Sequence, residues 1–231
     1  MRRPAFFLVL GLCLVTAIAV TNKPVIGEGT TMEFEEAAIV FETNVTDGDV
    51  EVVFAAQAGD EGMNRFKVVG PDGNTSFEVS VPMPNALGLR QFTLETPEPQ
   101  DDGSLRAAFP EGEYTFTAES VSGARFKSDV HLSHELPKVV QFKTPAEDAE
   151  DVPVQGLVVQ WSAVPGVEAI LLEIEQEDSG VTLLVRLPGD ADSFSVPEGF
   201  LTADTEYTLS IGTVADGGNS SFVETGFATA D

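Results

Sequence analysis

The chain has 231 residues, and its 12 lysines and arginines stand against 38 aspartates and glutamates, a formal net charge of -26. A surface this acidic repels nucleic acid phosphates and anionic lipid headgroups, so we expect no nucleic acid partner. The length leaves room for two domains of ordinary size. The charge predicts a solvated acidic surface that favours cations and basic partners.

The first 19 residues predict a secretory signal peptide. Arg2 and Arg3 precede an apolar stretch from Ala5 to Leu14, and the small residues Ala17 and Ala19 place cleavage after Ala19. The stretch is too short for a comfortable membrane span, and no second apolar segment follows. Cleavage removes two basic residues and no acid, which takes the net charge from -26 to -28. We therefore expect an exported, soluble mature chain without a membrane span.

The only cysteine, Cys13, lies inside this predicted signal peptide. Secreted domains that depend on disulfides are usually too small to bury a sufficient core, and two domains of this size do not need them. A secreted chain without cysteine favours a bacterial periplasm or cell surface over a eukaryotic secretory route.

Short runs rich in Val, Phe and Thr predict strands, and Gly and Pro turns separate them. These runs are residues 50–56, 65–69, 76–81, 90–96, 113–120 and 125–133. Short strands at this spacing are typical of an antiparallel β-sandwich. One helical turn is predicted at residues 104–112, where Leu105, Ala108 and Phe109 share a face and Pro110 ends it.

The run at 113–120 alternates as a sandwich strand should. Tyr114, Phe116 and Ala118 face one way, and Thr115 and Thr117 face the other. One apolar face and one wet face is what an antiparallel sheet of a sandwich requires.

A domain boundary is predicted within residues 134–153, where prolines and an acidic run mark a linker. The interpretation is a first β-sandwich domain at residues 20–138 and a second domain at residues 139–231. Residues 20–140 carry 8 basic and 21 acidic side chains, whereas residues 141–231 carry 2 and 17.

Residues 139–229 resemble a fibronectin type III domain. The resemblance lies in Trp161, in the apolar strand around Leu172 and in the Leu201 to Tyr207 corner. It implies that the tryptophan lies in the core between two sheets and that the tyrosine hydroxyl binds nearby backbone. The whole mature chain is also similar to secreted bacterial proteins that place a β-sandwich before a fibronectin type III domain. The stretches concerned are residues 42–54, 87–99, 109–123 and 131–137.

No catalytic constellation is predicted. His131 and His134 are three residues apart, so on a strand they point to opposite faces and share no site. The chain has neither a nucleophile elbow nor a phosphate-binding glycine loop. Trp161, Tyr114 and Tyr207 occupy inward positions, which leaves no Trp or Tyr platform for sugar stacking.

Calcium binding is the alternative that the acidic turns leave open. Asn44, Asp47, Asp49 and Glu51 cluster around a glycine, and hard cations take six to eight oxygens. A hairpin turn collects the same residue types without any metal. Asp47 and Asp49 are therefore the ligands expected if the site exists.

The sequence thus predicts an exported, non-enzymatic structural or interaction protein made of two β-sandwiches, without a cofactor and with a protein partner. The alternative is a calcium-dependent ligand- or carbohydrate-binding protein. A hydrolase that uses paired carboxylates is a third hypothesis. Asn-x-Ser/Thr sequences at Asn44, Asn74 and Asn219 lie in predicted turns, where a glycosylating host would modify them.

Overall fold

The computed structural model describes residues 31–231 except 61, 82–86, 98–101 and 177. The predicted signal peptide lies outside the described residues. The predicted fold class is confirmed, because sixteen strands and one short helix in the described chain form two tandem β-sandwiches. No helix in this described part has the length and apolar composition of a membrane span.

The first sandwich contains eight strands and the helix. They are β1 Thr31–Met32, β2 Glu36–Asn44, β3 Asp49–Gln57, β4 Met63–Val69, β5 Thr75–Ser80, β6 Gln91–Glu95, α1 Asp102–Ala108, β7 Gly112–Ser120 and β8 Arg125–Leu132. One sheet has the order β1-β8-β7-β4-β5, and the facing strands are β2-β3-β6. All neighbours are antiparallel except β1 and β8, which are parallel.

The core of the first sandwich is built largely from phenylalanine rings. Phe66 is 1% exposed, and its ring centroid lies 5.1 Å from that of Phe92 and 5.8 Å from that of Phe116. Tyr114 closes this core near the start of β7, and its hydroxyl donates a hydrogen bond to the Pro110 carbonyl at 3.0 Å. Burial, together with the charge of Asp72, raises the pKa of Tyr114 to about 12.

The second sandwich contains the remaining eight strands. They are β9 Phe142–Thr144, β10 Ala149–Val152, β11 Val158–Trp161, β12 Ala169–Gln176, β13 Val181–Pro188, β14 Ser193–Ser195, β15 Glu206–Val214 and β16 Ser220–Thr229. One sheet has the order β14-β11-β9, and β13-β12-β15-β16 face it, with β10 parallel to β16 at the edge. This is the arrangement of an immunoglobulin-like or fibronectin type III-like sandwich.

Trp161 lies at the centre of the second core, as the resemblance implies. It is fully buried, and its indole N–H donates to the Ala191 carbonyl at 3.0 Å. Tyr207 stacks on Phe227 with ring centroids 5.3 Å apart, and its hydroxyl accepts the Thr202 amide hydrogen at 2.8 Å. The expected tyrosine corner is therefore confirmed.

The six predicted strand runs all form strands, namely β3 to β8. The inward positions Tyr114, Phe116 and Ala118 are buried as expected. The helix begins two residues earlier than predicted and ends at Ala108. Ala108 was expected to share the buried face with Leu105, but it is exposed, because α1 is too short to bury more than one position.

Candidate functional site at the junction of the two sandwiches

Strand β2, which the sequence analysis did not predict, joins the two sandwiches. Its last residues pair in parallel with the first residues of β16, with Ser220 opposite Glu42 and Phe222 opposite Asn44. Three strands of the first sandwich and five of the second thereby form one sheet, in the order β13-β12-β15-β16-β2-β3-β6 with β10 also paired to β16. The outer face of this sheet is therefore continuous from the first sandwich to the second.

Phe222 packs into this seam and is 2% exposed. Its ring lies directly over Gly212 on β15, where an added Cβ would approach the Phe222 Cε1 to 2.2 Å. On the other side of the seam, a Cβ added at Gly218 would lie 2.8 Å from the Cγ1 of Val40. Glycine is required at both positions because side chains from the seam approach the backbone closely.

Asn219 fastens the seam with three hydrogen bonds and is 4% exposed. Its side-chain oxygen accepts the Phe41 amide hydrogen at 2.8 Å. Its side-chain nitrogen donates to the carbonyls of Ser133 and Glu135, at 2.8 and 2.9 Å. The residue therefore ties the second sandwich both to β2 and to the connecting segment. Burial also makes this position unsuited to the glycan that its sequon suggested.

The segment between the sandwiches is held by polar and ring contacts. The Thr213 hydroxyl donates to the Lys138 carbonyl at 3.0 Å. His134 packs against Phe41 with ring centroids 5.1 Å apart, and its Nε2 lies 2.8 Å from the Phe109 carbonyl. Arg106 also lies over the Phe41 ring, with its guanidinium carbon 4.6 Å from the centroid. His134 thus has a packing role at the junction.

His131 is exposed on β8, while His134 lies beyond the end of that strand. The two histidines therefore share no site in the structure, which agrees with the prediction from their spacing.

The acidic turn at residues 44–49 lies against the second sandwich. It is the hairpin turn between β2 and β3, with Gly48 at φ 79° and the Asn44 side chain accepting the Thr46 amide hydrogen at 3.0 Å. The Val45 amide donates to the Phe222 carbonyl at 2.9 Å, and the Glu224 amide donates to the Thr46 hydroxyl at 2.8 Å. Asp47 and Asp49 are therefore placed near Glu224 of β16.

A row of polar residues crosses the outer face of the shared sheet beside this turn. Glu173 on β12 is opposite Ser210 on β15, and Ser210 is opposite Glu224 on β16. Glu173 is 7% exposed, and burial, with added repulsion from Glu175 and Glu224, raises its pKa to about 7.

Glu224 is also shifted, because burial raises its pKa and the charges of Asp47 and Asp49 add to the effect, against a hydrogen bond from Asn44. Burial likewise raises the pKa of Asp49, with Asp47 adding to it. The Ser210 Oγ and the Glu224 Oε1 are buried without a hydrogen bond of good geometry. Alternation with Leu172 and Ile174 puts Glu173 on the outward side of its strand, and nothing in the sequence indicates that neighbours bury it.

A cleft of about 400 Å³ opens at the other end of the seam. It lies between the start of β2 and the turn after β15, and it is lined by Glu36, Glu168, Arg186 and Asp216 among others. Arg186 pairs with Glu168 at 3.4 Å. Burial raises the pKa of Glu36.

Two further expectations concern binding chemistry. Among the described residues, no three His, Cys, Asp or Glu side chains are grouped closely enough to hold a metal ion. Trp161, Tyr114 and Tyr207 are all at most 2% exposed, so none of them forms a sugar-stacking surface.

Comparison with known proteins finds similarity only among solved structures. No protein-family model matches the chain, and no curated protein matches it. A two-domain fibronectin type III segment of chicken tenascin is 14% identical, with 86% of this chain and 100% of that chain covered and a TM-score of 0.32. Fibronectin(III)-like modules of Clostridium thermocellum CbhA are 10% identical, with 85% and 93% covered and a TM-score of 0.35. The fold assignment rests on the strand pairing and the tyrosine corner described above.

Proposed function

We propose that the protein is an exported, non-enzymatic interaction protein of a bacterial periplasm or cell surface, in which two β-sandwiches act as one rigid unit. The observation that carries the proposal is the seam, where β16 pairs with β2 and Asn219 makes three buried hydrogen bonds. Domains of one chain that share only a small interface move relative to each other. A shared sheet instead fixes which surfaces face a partner.

The rigidity comes from groups that would otherwise lack partners. Separating the sandwiches would expose Phe222 and leave the Phe41 amide and the carbonyls of Ser133 and Glu135 without Asn219. Because water replaces the lost partners on separation, each such hydrogen bond contributes about 0.5–1.5 kcal/mol net. The seam therefore opposes bending by several such terms at once.

Small-angle X-ray scattering of Asn219→Ala tests this function. We expect the wild type to scatter as a single rigid shape and the variant to show a larger radius of gyration from domain motion. Asn74→Ala is the matched control, because Asn74 is an exposed turn residue whose side chain donates a hydrogen bond to the neighbouring Asp72, away from the seam. If the wild type already scatters as two freely jointed domains, the proposed rigid presentation is wrong.

Hydrolysis by paired carboxylates is not favoured. Glu173 and Glu224 lie on strands separated by β15, and neither lines the cleft at the seam.

Calcium binding at the acidic turn is the second candidate. Asp47 and Asp49 lie near Glu224, whose Oε1 is buried, but these three carboxylates are not grouped closely enough to hold an ion by themselves, so a calcium ion there would also need backbone or water oxygens. Calcium at a hundred times its dissociation constant would add about 2.7 kcal/mol of stability. Thermal unfolding in chelator, in calcium and in sodium chloride of matched ionic strength measures this.

In that experiment Asp47→Asn should remove any calcium-specific rise in the midpoint. Asp190→Asn, in an exposed turn of the second sandwich, is the control that should retain it. If calcium and sodium chloride act equally on the wild type, the acidic turn has no specific cation site.

A further inference from the structure

The outer face of the sheet β1-β8-β7-β4-β5 carries a concentration of positive charge that the sequence analysis did not notice. A groove of about 340 Å³ is lined by Arg65, Lys67, Arg125 and Lys127. These are four of the nine lysines and arginines in the described part of the chain. Nearly half of the lysines and arginines in the described residues therefore lie on one face.

Strand register sets the arrangement of these cations. Lys67 and Lys127 flank Thr117 in one row, and Arg65 and Arg125 flank Glu119 in the next row. Strands are spaced about 4.8 Å apart and alternate residues about 7 Å apart, so the four positions form a grid of roughly 10 by 7 Å. A grid of this size suits several carboxylates presented together.

Only part of this charge is neutralised locally. Arg65 pairs with Glu78 at 2.7 Å, and Lys127 pairs with Asp129 at 2.8 Å. Glu119 lies between the two arginines and is exposed. Within the described residues no ion pair is seen for Lys67 or Arg125, which lie opposite Glu78 and Glu119 on the neighbouring strands, so the four cations of the groove keep a small positive excess over the three carboxylates beside them.

The second sandwich offers the complementary charge. Residues 141–231 carry 17 acidic side chains against 2 basic ones. Three exposed carboxylates, Asp148, Glu150 and Glu206, line a cleft of about 170 Å³ at the edge formed by β10, β15 and β16. No lysine or arginine lines this cleft.

We propose that the basic groove of the first sandwich binds the acidic second sandwich of another copy of this chain, with the cleft at Asp148, Glu150 and Glu206 as the contact. The contact is head-to-tail, and such contacts form rings or open filaments. The proposal rests on the proposed function, because it names the partner of the rigid unit.

Ionic strength controls this association in two opposite ways. The copies share a large negative net charge, so at 0.01 M salt, where charges act over about 30 Å, they repel each other. At 0.15 M that range falls to about 8 Å, and the local pairing of opposite charges dominates. At 1 M it is about 3 Å, and the exposed ion pairs are screened as well. Association is therefore greatest near 0.15 M.

Sedimentation velocity of the chain from Val20 onward, at increasing protein concentration and at these three salt concentrations, measures the association. We expect species larger than the monomer at 0.15 M and fewer at both extremes. Lys67→Gln with Arg125→Gln should weaken association at least tenfold. Lys138→Gln with Lys143→Gln is the matched control, since it removes the same charge from exposed positions outside the groove and should leave association unchanged.

Carbodiimide cross-linking of mixed ¹⁴N- and ¹⁵N-labelled chains locates the contact. Isotopically mixed cross-links from Lys67 or Lys127 to carboxylates within residues 141–231 support the proposal. A chain that stays monomeric at 0.15 M salt and millimolar concentration overturns it, and so does a monomer whose groove binds dextran sulfate, because the partner is then a polyanion. Either failure is distinct from failure of the rigid unit, which scattering of the monomer measures.

Discussion

The two sandwiches have the same strand order but different interiors. The first is filled by stacked and edge-on phenylalanine rings around Phe66, and the second by Trp161 among leucine, isoleucine and valine side chains. Both place a tyrosine near the start of the same strand, within Glu113-Tyr114-Thr115 and Glu206-Tyr207-Thr208. The strand order therefore depends on an apolar face and a corner hydrogen bond more than on particular core residues.

The outer faces of the corresponding sheets differ in charge. On the first sandwich this face carries the basic groove. The side chain of Arg65 is 58% exposed there, and that of Lys127 is 50% exposed. On the second it carries Glu173 and Glu224, both with raised pKa values. The same architecture thus gives the chain one face on which cations are interspersed with carboxylates and one face that is acidic.

The largest expected effect is loss of the second core. Trp161→Ala should lower the free energy of unfolding by about 3–5 kcal/mol, since it leaves a cavity at a fully buried position. Phe66→Ala should cost a similar amount in the first sandwich. Urea denaturation followed by circular dichroism measures both, and Val158→Ala, at an exposed position on the same strand as Trp161, should change little. A cost below about 1 kcal/mol for Trp161→Ala would show that the two cores are not equivalent.

The acidic face should give the second sandwich a distinct pH dependence. The pKa of Glu173 is raised from 4.5 to about 7 on folding, so the native state binds more protons than the unfolded state between these values. Stability should therefore fall as pH rises from 4.5 to 7. Glu173→Gln should remove this slope and be more stable by on the order of 2–3 kcal/mol above pH 7.

Urea denaturation at pH 5 and pH 8 tests this expectation. Glu206→Gln, at an exposed position on β15, is the control and should follow the wild type. If Glu173→Gln follows the wild type as well, the carboxylate is solvated and the acidic face is an ordinary surface.

The smallest effects concern the two tyrosine corners. Tyr114→Phe and Tyr207→Phe each remove one hydroxyl hydrogen bond and leave the ring in place. We expect each to cost about 1 kcal/mol, and the two costs to add because the sites lie in different cores. Urea denaturation of the single and double variants measures this. A negligible cost at only one site would show that the corner is structural in one sandwich alone.

Local patterns were enough to predict strands β3 to β8, the helix and the second core. Alternation placed Tyr114 and Phe116 inward, and the family resemblance placed Trp161 and Tyr207 correctly. The first tyrosine corner was missed, although the sequence Glu-Tyr-Thr occurs in both halves and would have indicated it.

The junction could not be predicted in the same way. Residues 37–41, Ala-Ala-Ile-Val-Phe, form a short apolar run, which periodicity does not distinguish from other buried segments. The parallel pairing of β2 with β16 joins residues 178 positions apart, such as Glu42 and Ser220. The role of Asn219 depends on that register, the burial of Glu173 on the pairing of β12, β15 and β16, and the grouping of four cations on the pairing of β4 and β8 with β7.

Amide hydrogen exchange of Val45 and Phe41, followed by NMR in the wild type, tests the rigid junction most directly. Val45 is 52% exposed and lies in a turn, and its amide is bonded across the seam to the Phe222 carbonyl. The Phe41 amide is bonded to the Asn219 side chain. The account predicts that both amides exchange as slowly as those within the strands of the sheet. Exchange at the rate of a free turn, with the strand amides still protected, would show that the two sandwiches separate and would contradict it.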